Sequence, residues 1–173
     1  MAYDLEAKDE EEIFPAGNRE FRRFQVVKPR VSPDGRFVAF TSNNPREWNA
    51  WYADLKTKEA FHIAPGCEPT WFPDSSKIAF IKMEGARDQS GIFSYDLEKK
   101  EIAELVDFDS PRGHEYFPTV HSNGQFIFYA SSREGEHSHL VANYQLFVFD
   151  LARKQRVRLT FDAHTNRWPK FMP

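Results

Sequence analysis

A short motif that recurs along the chain limits its possible folds more than any other feature. The first copy, Pro29-Arg-Val-Ser-Pro-Asp-Gly35, is followed by an apolar run, and degraded copies begin at Pro69 and Pro118, with a stub at Pro169. The steps between these prolines are 40, 49 and 51 residues. Periods of this length are typical of repeat arrays. Each period here contains short apolar segments separated by turn residues, which indicates the blades of a β-propeller.

A second recurring element supports the same period. An aspartate followed by leucine closes a later apolar segment in each repeat. The four copies are Tyr3-Asp4-Leu5, Tyr52-Ala-Asp54-Leu55, Tyr95-Asp96-Leu97 and Phe149-Asp150-Leu151. Within a repeat, consecutive apolar residues such as those in Phe37–Phe40 require burial on both faces of a strand, and a stack of blades provides this. No long stretch of the chain has a helical period.

The recurring motif has the chemistry of a tight turn. Ser, Pro and Gly in Ser32-Pro-Asp-Gly35 occupy the positions that a type I turn favours. We therefore predict that Ser32–Gly35, Phe72–Ser75 and Ser122–Gly124 each join the innermost strand of a four-stranded antiparallel blade to its second strand. The spacing also predicts that Phe40, Phe80 and Phe128 are equivalent second-strand residues, buried between blades.

The Ser-Pro-Asp-Gly copies resemble the PD40 repeats of the TolB-like β-propellers, also called WD40-like propellers, over nearly the whole chain. The second copy has Phe72 and Ser75 where the pattern has Ser and Gly, and the third copy lacks the Pro. The resemblance implies an all-β fold of four-stranded antiparallel blades. It also implies a periplasmic or exported location, although the acidic amino terminus shows no signal peptide.

The motifs divide the single propeller domain, 1-173, into three full blades with a partial blade at each end. The predicted bounds are a partial blade at 1-25, blades at 26-64, 65-108 and 114-161, and a partial inner strand at 166-173. Three arrangements satisfy this count: a section of a larger propeller, a four-bladed ring closed by the termini, and two half-rings that associate into a six-bladed whole. In each, we expect Met1–Phe14 and Arg167–Pro173 to contact one another or a partner subunit, because unpaired strand edges favour association.

Composition excludes several classes of function. The net charge of −3 does not favour nucleic acid as a partner. No apolar run approaches the roughly 20 residues of a membrane-spanning helix. Cys67 is the single cysteine, so neither an intrachain disulfide nor a cysteine zinc site is expected.

Candidate partner-binding residues lie where the predicted inner strands begin. In a propeller these positions cluster at one mouth of the central channel, where ligands and partners dock. Trp48 is a further candidate, because Asn43-Asn44-Pro45 predicts a loop before it and hence an exposed side chain. Exposed Trp and Arg are frequent binding anchors. The predicted set is Glu68, His114, Glu115, Tyr116, Arg167, Trp168 and Trp48, and a structural role is the alternative for each of them. His137 and His139 are a weak candidate pair for a metal ion.

The sequence offers no catalytic motif, since Gly-x-Ser-x-Gly, a glycine-rich phosphate loop and His-Glu-x-x-His are all missing. We therefore predict a non-catalytic protein-binding scaffold without a cofactor, with protein partners that include a second copy completing the ring. The alternative is a carbohydrate- or peptide-binding propeller of a polysaccharide lyase or a prolyl-oligopeptidase-type hydrolase. In that case His114, His121 and His164 would lie near the channel, and histidine and arginine converging on a bound ion there would identify an enzyme.

Overall fold

The computed structural model describes residues 2–4, 8–11, 21–44, 46–84, 89–106, 112–133, 136 and 141–170. These residues form β-strands and one short 3₁₀ turn at Phe21–Arg23. The strands are β1 Ala2–Asp4, β2 Asp9–Glu11, β3 Val26–Val31, β4 Phe37–Ser42, β5 Asn49–Asp54, β6 Ala60–Pro65, β7 Cys67–Trp71, β8 Lys77–Glu84, β9 Gln89–Asp96, β10 Glu101–Val106, β11 Arg112–Val120, β12 Phe126–Arg133, β13 Gln145–Asp150 and β14 Gln155–Arg158. Within the described residues, no helix is long and apolar enough to cross a membrane.

The strands form three antiparallel blades of four strands each. Blade 1 is β3–β6, blade 2 is β7–β10 and blade 3 is β11–β14, and in each blade the strands pair in chain order. A single parallel pairing, His114 with Ser90, links blade 3 to blade 2. β1 and β2 form a separate hairpin. The predicted all-β fold of four-stranded antiparallel blades is confirmed, and the described strands do not close into a ring.

The inner and second strands of every blade are joined by the predicted turn. The amide of the fourth turn residue donates to the carbonyl of the first, at 2.9 Å in Ser32–Gly35, 3.0 Å in Phe72–Ser75 and 2.8 Å for Gly124 to His121. The fourth residue has a positive φ in all three: 73° at Gly35, 60° at Ser75 and 71° at Gly124. Ser75 can replace Gly because its hydroxyl also accepts the Asp34 amide at 3.1 Å, which ties neighbouring turns together.

The recurring Asp-Leu element closes the third strand of each blade. One carboxylate oxygen of Asp54 accepts the amides of Lys56 and Thr57, at 2.8 Å and 3.0 Å. Asp96 and Asp150 make the same pair of bonds to the residues two and three positions ahead. Backbone hydrogen bonds are the main cause that lowers the pKa of these three carboxyls.

Apolar residues alternate between the two faces of each blade, so that the core consists of layers between blades. One layer packs Ala39 and Tyr52 of blade 1 against Phe80 and Phe93 of blade 2. The next layer packs Ile81 and Ile92 of blade 2 against residues of blade 3 such as Tyr129 and Phe147. On the other face of blade 1, the Phe21 ring lies edge-on to Phe40 and Trp51, with centroids 5.3 Å and 5.0 Å away.

Phe80 is fully buried between blades 1 and 2, which confirms the prediction for this residue. Phe40 is fully buried as well, but it lies under Phe21 on the face of blade 1 that points away from blade 2, and not between two blades. The expectation for Phe128 is wrong, because Phe128 is only half-buried. Phe40 and Phe80 each lie five residues after the left-handed residue of their turn. In blade 3 the residue at this position is Tyr129, which is fully buried. Phe128 stands where blades 1 and 2 have a small alanine, on the face of blade 3 that points away from blade 2.

Residues 166–170 do not form the predicted inner strand, since no strand pairing is present there. They are held instead by isolated bonds, such as the one from the Thr119 hydroxyl to the Pro169 carbonyl, 2.8 Å long. The expected contact between Met1–Phe14 and Arg167–Pro173 involves residues that are in part outside the described ranges, and it stays a prediction. The domain bounds predicted from the motifs stay a prediction.

Candidate functional site

The residue before each repeated proline has a left-handed backbone. Lys28, Glu68, Phe117 and Trp168 have φ values of 54°, 55°, 58° and 53°. In β3, β7 and β11 the strand register shifts at this point, so that each inner strand carries a bulge. A left-handed conformation costs a residue with a Cβ roughly 1–2 kcal/mol, so surrounding contacts must hold it in place. Bulges change the direction of a side chain. Here the residue before the proline of each repeat points to a common pair of cavities.

The four redirected side chains contact one another in chain order. The Lys28 ammonium forms an ion pair with the Glu68 carboxylate. The other oxygen of that carboxylate accepts the Phe117 amide at 2.8 Å. The Phe117 ring lies 5.2 Å from the Trp168 ring between centroids, and Lys28 lies 5.5 Å from the Phe117 centroid. We call these four residues the pre-proline ring.

Glu68 is the buried centre of this ring, with 6% of its side chain exposed, whereas Lys28 is 46% exposed. The Glu68 amide also donates to the Thr41 hydroxyl at 3.0 Å, which connects blade 2 to blade 1. Burial is the main cause that lowers the pKa of Lys28; Cys67 opposes this shift and Arg30 adds to it. Burial also raises the pKa of the Cys67 thiol to about 11, so the thiol is neutral at physiological pH.

Two cavities meet at the pre-proline ring. The inner cavity has a volume of about 450 Å³ and the outer cavity about 360 Å³. All four ring residues line both cavities. The inner cavity is also lined by Pro29, Arg30, Pro69, Pro118, Thr119, Pro169 and Lys170. The outer cavity is also lined by Val27, Thr41, Trp48, Cys67 and Arg167.

Two exposed tryptophans border the outer cavity. Trp48 is 47% exposed and Trp168 is 59% exposed. The Arg167 guanidinium lies 4.6 Å from the centroid of the Trp168 ring, a distance that permits a cation–π interaction. The outer cavity therefore offers large flat apolar surfaces beside a positive charge.

Four of the residues predicted from the sequence meet at this cavity: Trp48, Glu68, Arg167 and Trp168. His114, Glu115 and Tyr116 are not among the residues that line either cavity, and they are 3%, 1% and 2% exposed, so their place at the channel mouth stays a prediction. They lie inside β11, where the strand pairs with β12 and, through His114, with β9, and this pairing holds them between blades 2 and 3.

Sequence reasoning placed Lys28 before an inner strand, at the channel mouth, but it did not select Phe117, Arg30 or Lys170 as site residues. The available signal was the position before or after each repeated proline, which these residues share. Of the described residues that line the two cavities, none is a histidine. His121 lies at the β11–β12 turn and His164 is exposed beyond β14. His137 and His139 lie outside the described residues, and within the described part no group of three or more His, Cys, Asp or Glu side chains could hold a metal ion.

No protein-family profile matches the chain. Over 108 residues it is 30% identical to the Tol-Pal system protein TolB of Ruthia magnifica subsp. Calyptogena magnifica, a match that spans 62% of this chain and 22% of that protein. TolB from Acinetobacter baumannii superposes with a TM-score of 0.63 at 20% identity, covering 80% of this chain and 33% of that structure. A putative TolB from Agrobacterium tumefaciens gives a TM-score of 0.65 at 15% identity, covering 76% and 49%.

Propellers of enzymes share the fold as well. The β-propeller domain of the Trilobed protease from Pyrococcus furiosus superposes with a TM-score of 0.60 at 17% identity, covering 79% of this chain and 43% of that one. An oligogalacturonate lyase in complex with manganese and an acylaminoacyl peptidase of Pyrococcus horikoshii are also similar, at 16% and 13% identity.

Three stacked four-stranded blades, with inner strands that converge on a pair of cavities, define this chain as a β-propeller array. In its recurring turns and in its fold the chain is similar to the TolB proteins. It spans about a fifth of the length of the TolB relative from Ruthia magnifica.

Proposed function

We propose that this chain is a non-catalytic scaffold that binds a protein partner at the outer cavity. The observation that carries the proposal is the pair of exposed tryptophans, Trp48 and Trp168, on one concave surface. Exposed aromatic residues next to arginine are typical binding hot spots. The pre-proline ring below them is fixed by an ion pair, a backbone hydrogen bond and ring contacts, so the surface is organised before a partner arrives.

The TolB relative from Ruthia magnifica is a protein of the Tol-Pal system. The similarity to it supports a partner of the kind found in that system. We propose a Pal-type protein as the partner of this chain as well, and with it the periplasmic or exported location that the family resemblance implies.

The test is a calorimetric titration of this chain with the Pal protein of Ruthia magnifica. We expect Trp48→Ala and Trp168→Ala each to weaken binding by ten-fold or more, because truncating an aromatic hot spot costs on the order of 2 kcal/mol. Val141→Ser is the control, since Val141 is 83% exposed and lies outside both cavities. Binding that both tryptophan variants retain in full would contradict the proposal.

The lyase and hydrolase alternative has less support from the described residues. The solved lyase and peptidase show that this fold occurs in enzymes. The described residues that line the two cavities, however, include arginine, lysine and one glutamate but no histidine. The site therefore has the composition of a binding surface.

We also propose that a second copy of the chain is a partner. Phe128, Val148 and Val157 are cross-strand neighbours, so their side chains share the face of blade 3 that points away from blade 2. Val157 is 56% exposed, and Phe128 and Val148 are half-buried. Blades of a propeller normally bury such a face against a neighbouring blade.

A further inference from the structure

We propose that the two cavities together bind an extended acidic peptide segment that carries an aromatic or large apolar side chain. This inference rests on the proposed function and gives the chemistry of the partner's contacting segment. The apolar side chain would lie at the outer cavity between Trp48 and Trp168, and the carboxylates would reach the basic groups on either side of the pre-proline ring.

The first argument is local charge. Arg30 and Lys170 line the inner cavity, Arg167 lines the outer cavity, and Lys28 lines both. Among the described residues of the two linings Glu68 is the one acidic residue, and its two oxygens contact the Lys28 ammonium and the Phe117 amide. The whole chain has a net charge of −3, so this positive lining is a local feature. A concave site with an excess of one charge attracts ligands of the opposite charge.

The second argument is the nature of the walls. Four prolines and the rings of Phe117 and Trp168 line the inner cavity. The one hydroxyl among the described lining residues, that of Thr119, already donates to the Pro169 carbonyl at 2.8 Å. An anionic saccharide would need many more polar partners for its hydroxyl groups than these walls provide, because buried polar groups without partners are costly. Apolar walls with basic groups fit a peptide that combines an apolar side chain with carboxylates.

The third argument is size and continuity. Volumes of about 450 Å³ and 360 Å³ are each in the range of ligand-binding sites. The four ring residues are common to both cavities, so a ligand at one cavity is next to the other. An extended segment of a few residues therefore matches the space better than a folded surface alone.

The test uses fluorescein-labelled peptides and fluorescence polarisation on the full chain. The probe is Asp-Glu-Phe-Glu-Asp, and the comparison peptides are Lys-Arg-Phe-Arg-Lys and Asp-Glu-Ser-Glu-Asp. Unlabelled oligogalacturonate of three units serves as a competitor. We expect the acidic aromatic peptide to bind at least ten-fold more tightly than either comparison peptide, with an affinity that falls as salt concentration rises.

Two variants test whether the basic residues of the inner cavity contact the acidic peptide. Arg30→Gln and Lys170→Gln should each weaken the acidic peptide five-fold or more, whereas Lys56→Gln, which removes an exposed charge from the β5–β6 turn, should not. Equal binding of the basic peptide, equal binding by the Arg30 variant, or displacement of the probe by oligogalacturonate at lower concentration than by unlabelled peptide would overturn the inference. If the Pal protein still binds and requires the two tryptophans, such a result leaves the proposed function standing. If the acidic peptide binds as expected and Pal does not, the scaffold's partner is a different protein with an acidic segment.

Discussion

At the scale of single residues, the difference between Phe80 and Phe128 shows how the repeat register controls stability. Phe80 is fully buried between blades 1 and 2, whereas Phe128 is half-buried on the outer face of blade 3. We expect Phe80→Ala to lower the free energy of unfolding by about 3–5 kcal/mol and Phe128→Ala by less than about 2 kcal/mol. Urea denaturation of both variants measures this. Equal losses, or a loss below about 1 kcal/mol for Phe80→Ala, would show that the packing between blades 1 and 2 is not as described.

Gly66 is the residue where the chain passes from blade 1 to blade 2. Its φ is 151°, and a Cβ there would lie 2.0 Å from the Ile81 carbonyl oxygen. We expect Gly66→Ala to cost at least about 2 kcal/mol, since the clash is with backbone and strained φ adds to it. Gly35→Ala is the matched control: φ is 73° with no atom within 4 Å of the added Cβ, so only about 1 kcal/mol of conformational strain is expected. Thermal denaturation of the two variants measures their loss of stability. A smaller loss for Gly66→Ala than for Gly35→Ala would contradict the close approach of Gly66 to the Ile81 carbonyl.

At the scale of structural elements, the turn after the third strand of each blade makes stability depend on pH. The folded-state pKa of Asp96 is lowered from 3.8, chiefly by the Lys99 amide. Its contribution to stability is therefore complete above pH 3.8 and is lost as the pH falls through the folded-state pKa. We expect Asp96→Asn to reduce the difference in unfolding free energy between pH 7 and pH 3. A difference in Asp96→Asn as large as in the unaltered chain would refute the assignment.

Turns and blades could be predicted because local residues determine them. Ser32–Gly35 and its copies combine turn residues with apolar runs, and each turn closes with its own hydrogen bond. The register of the third copy was harder, since Ser122-Asn-Gly124 lacks the proline that aligns the other two copies. The left-handed backbone of the pre-proline ring could not be predicted, because a residue before proline normally prefers the β region. The burial of Glu115 could not be predicted either, because it depends on pairing between different blades.

At the scale of the whole molecule, the two outward faces of the array differ. On blade 1, Phe21 packs over Phe40 and Trp51. On blade 3, Phe128, Val148 and Val157 share a face of which Val157 is 56% exposed. Apolar surface of this kind lowers the free energy when it is buried against another surface, by roughly 25 cal/mol for each Å². Association through the outward face of blade 3 would therefore lower the free energy of the array.

Light scattering of the purified chain over a range of concentrations tests this association. We expect a mass above that of one chain that rises with concentration, and a return to the mass of one chain in Val157→Lys, because an ammonium on this face opposes burial. Val141→Lys is the control, since it adds the same charge at an exposed valine that is not one of the paired strand residues Phe128, Val148 and Val157. A monomer at every concentration would contradict self-association through blade 3. An oligomer that Val157→Lys leaves intact would place the contact between copies on another surface.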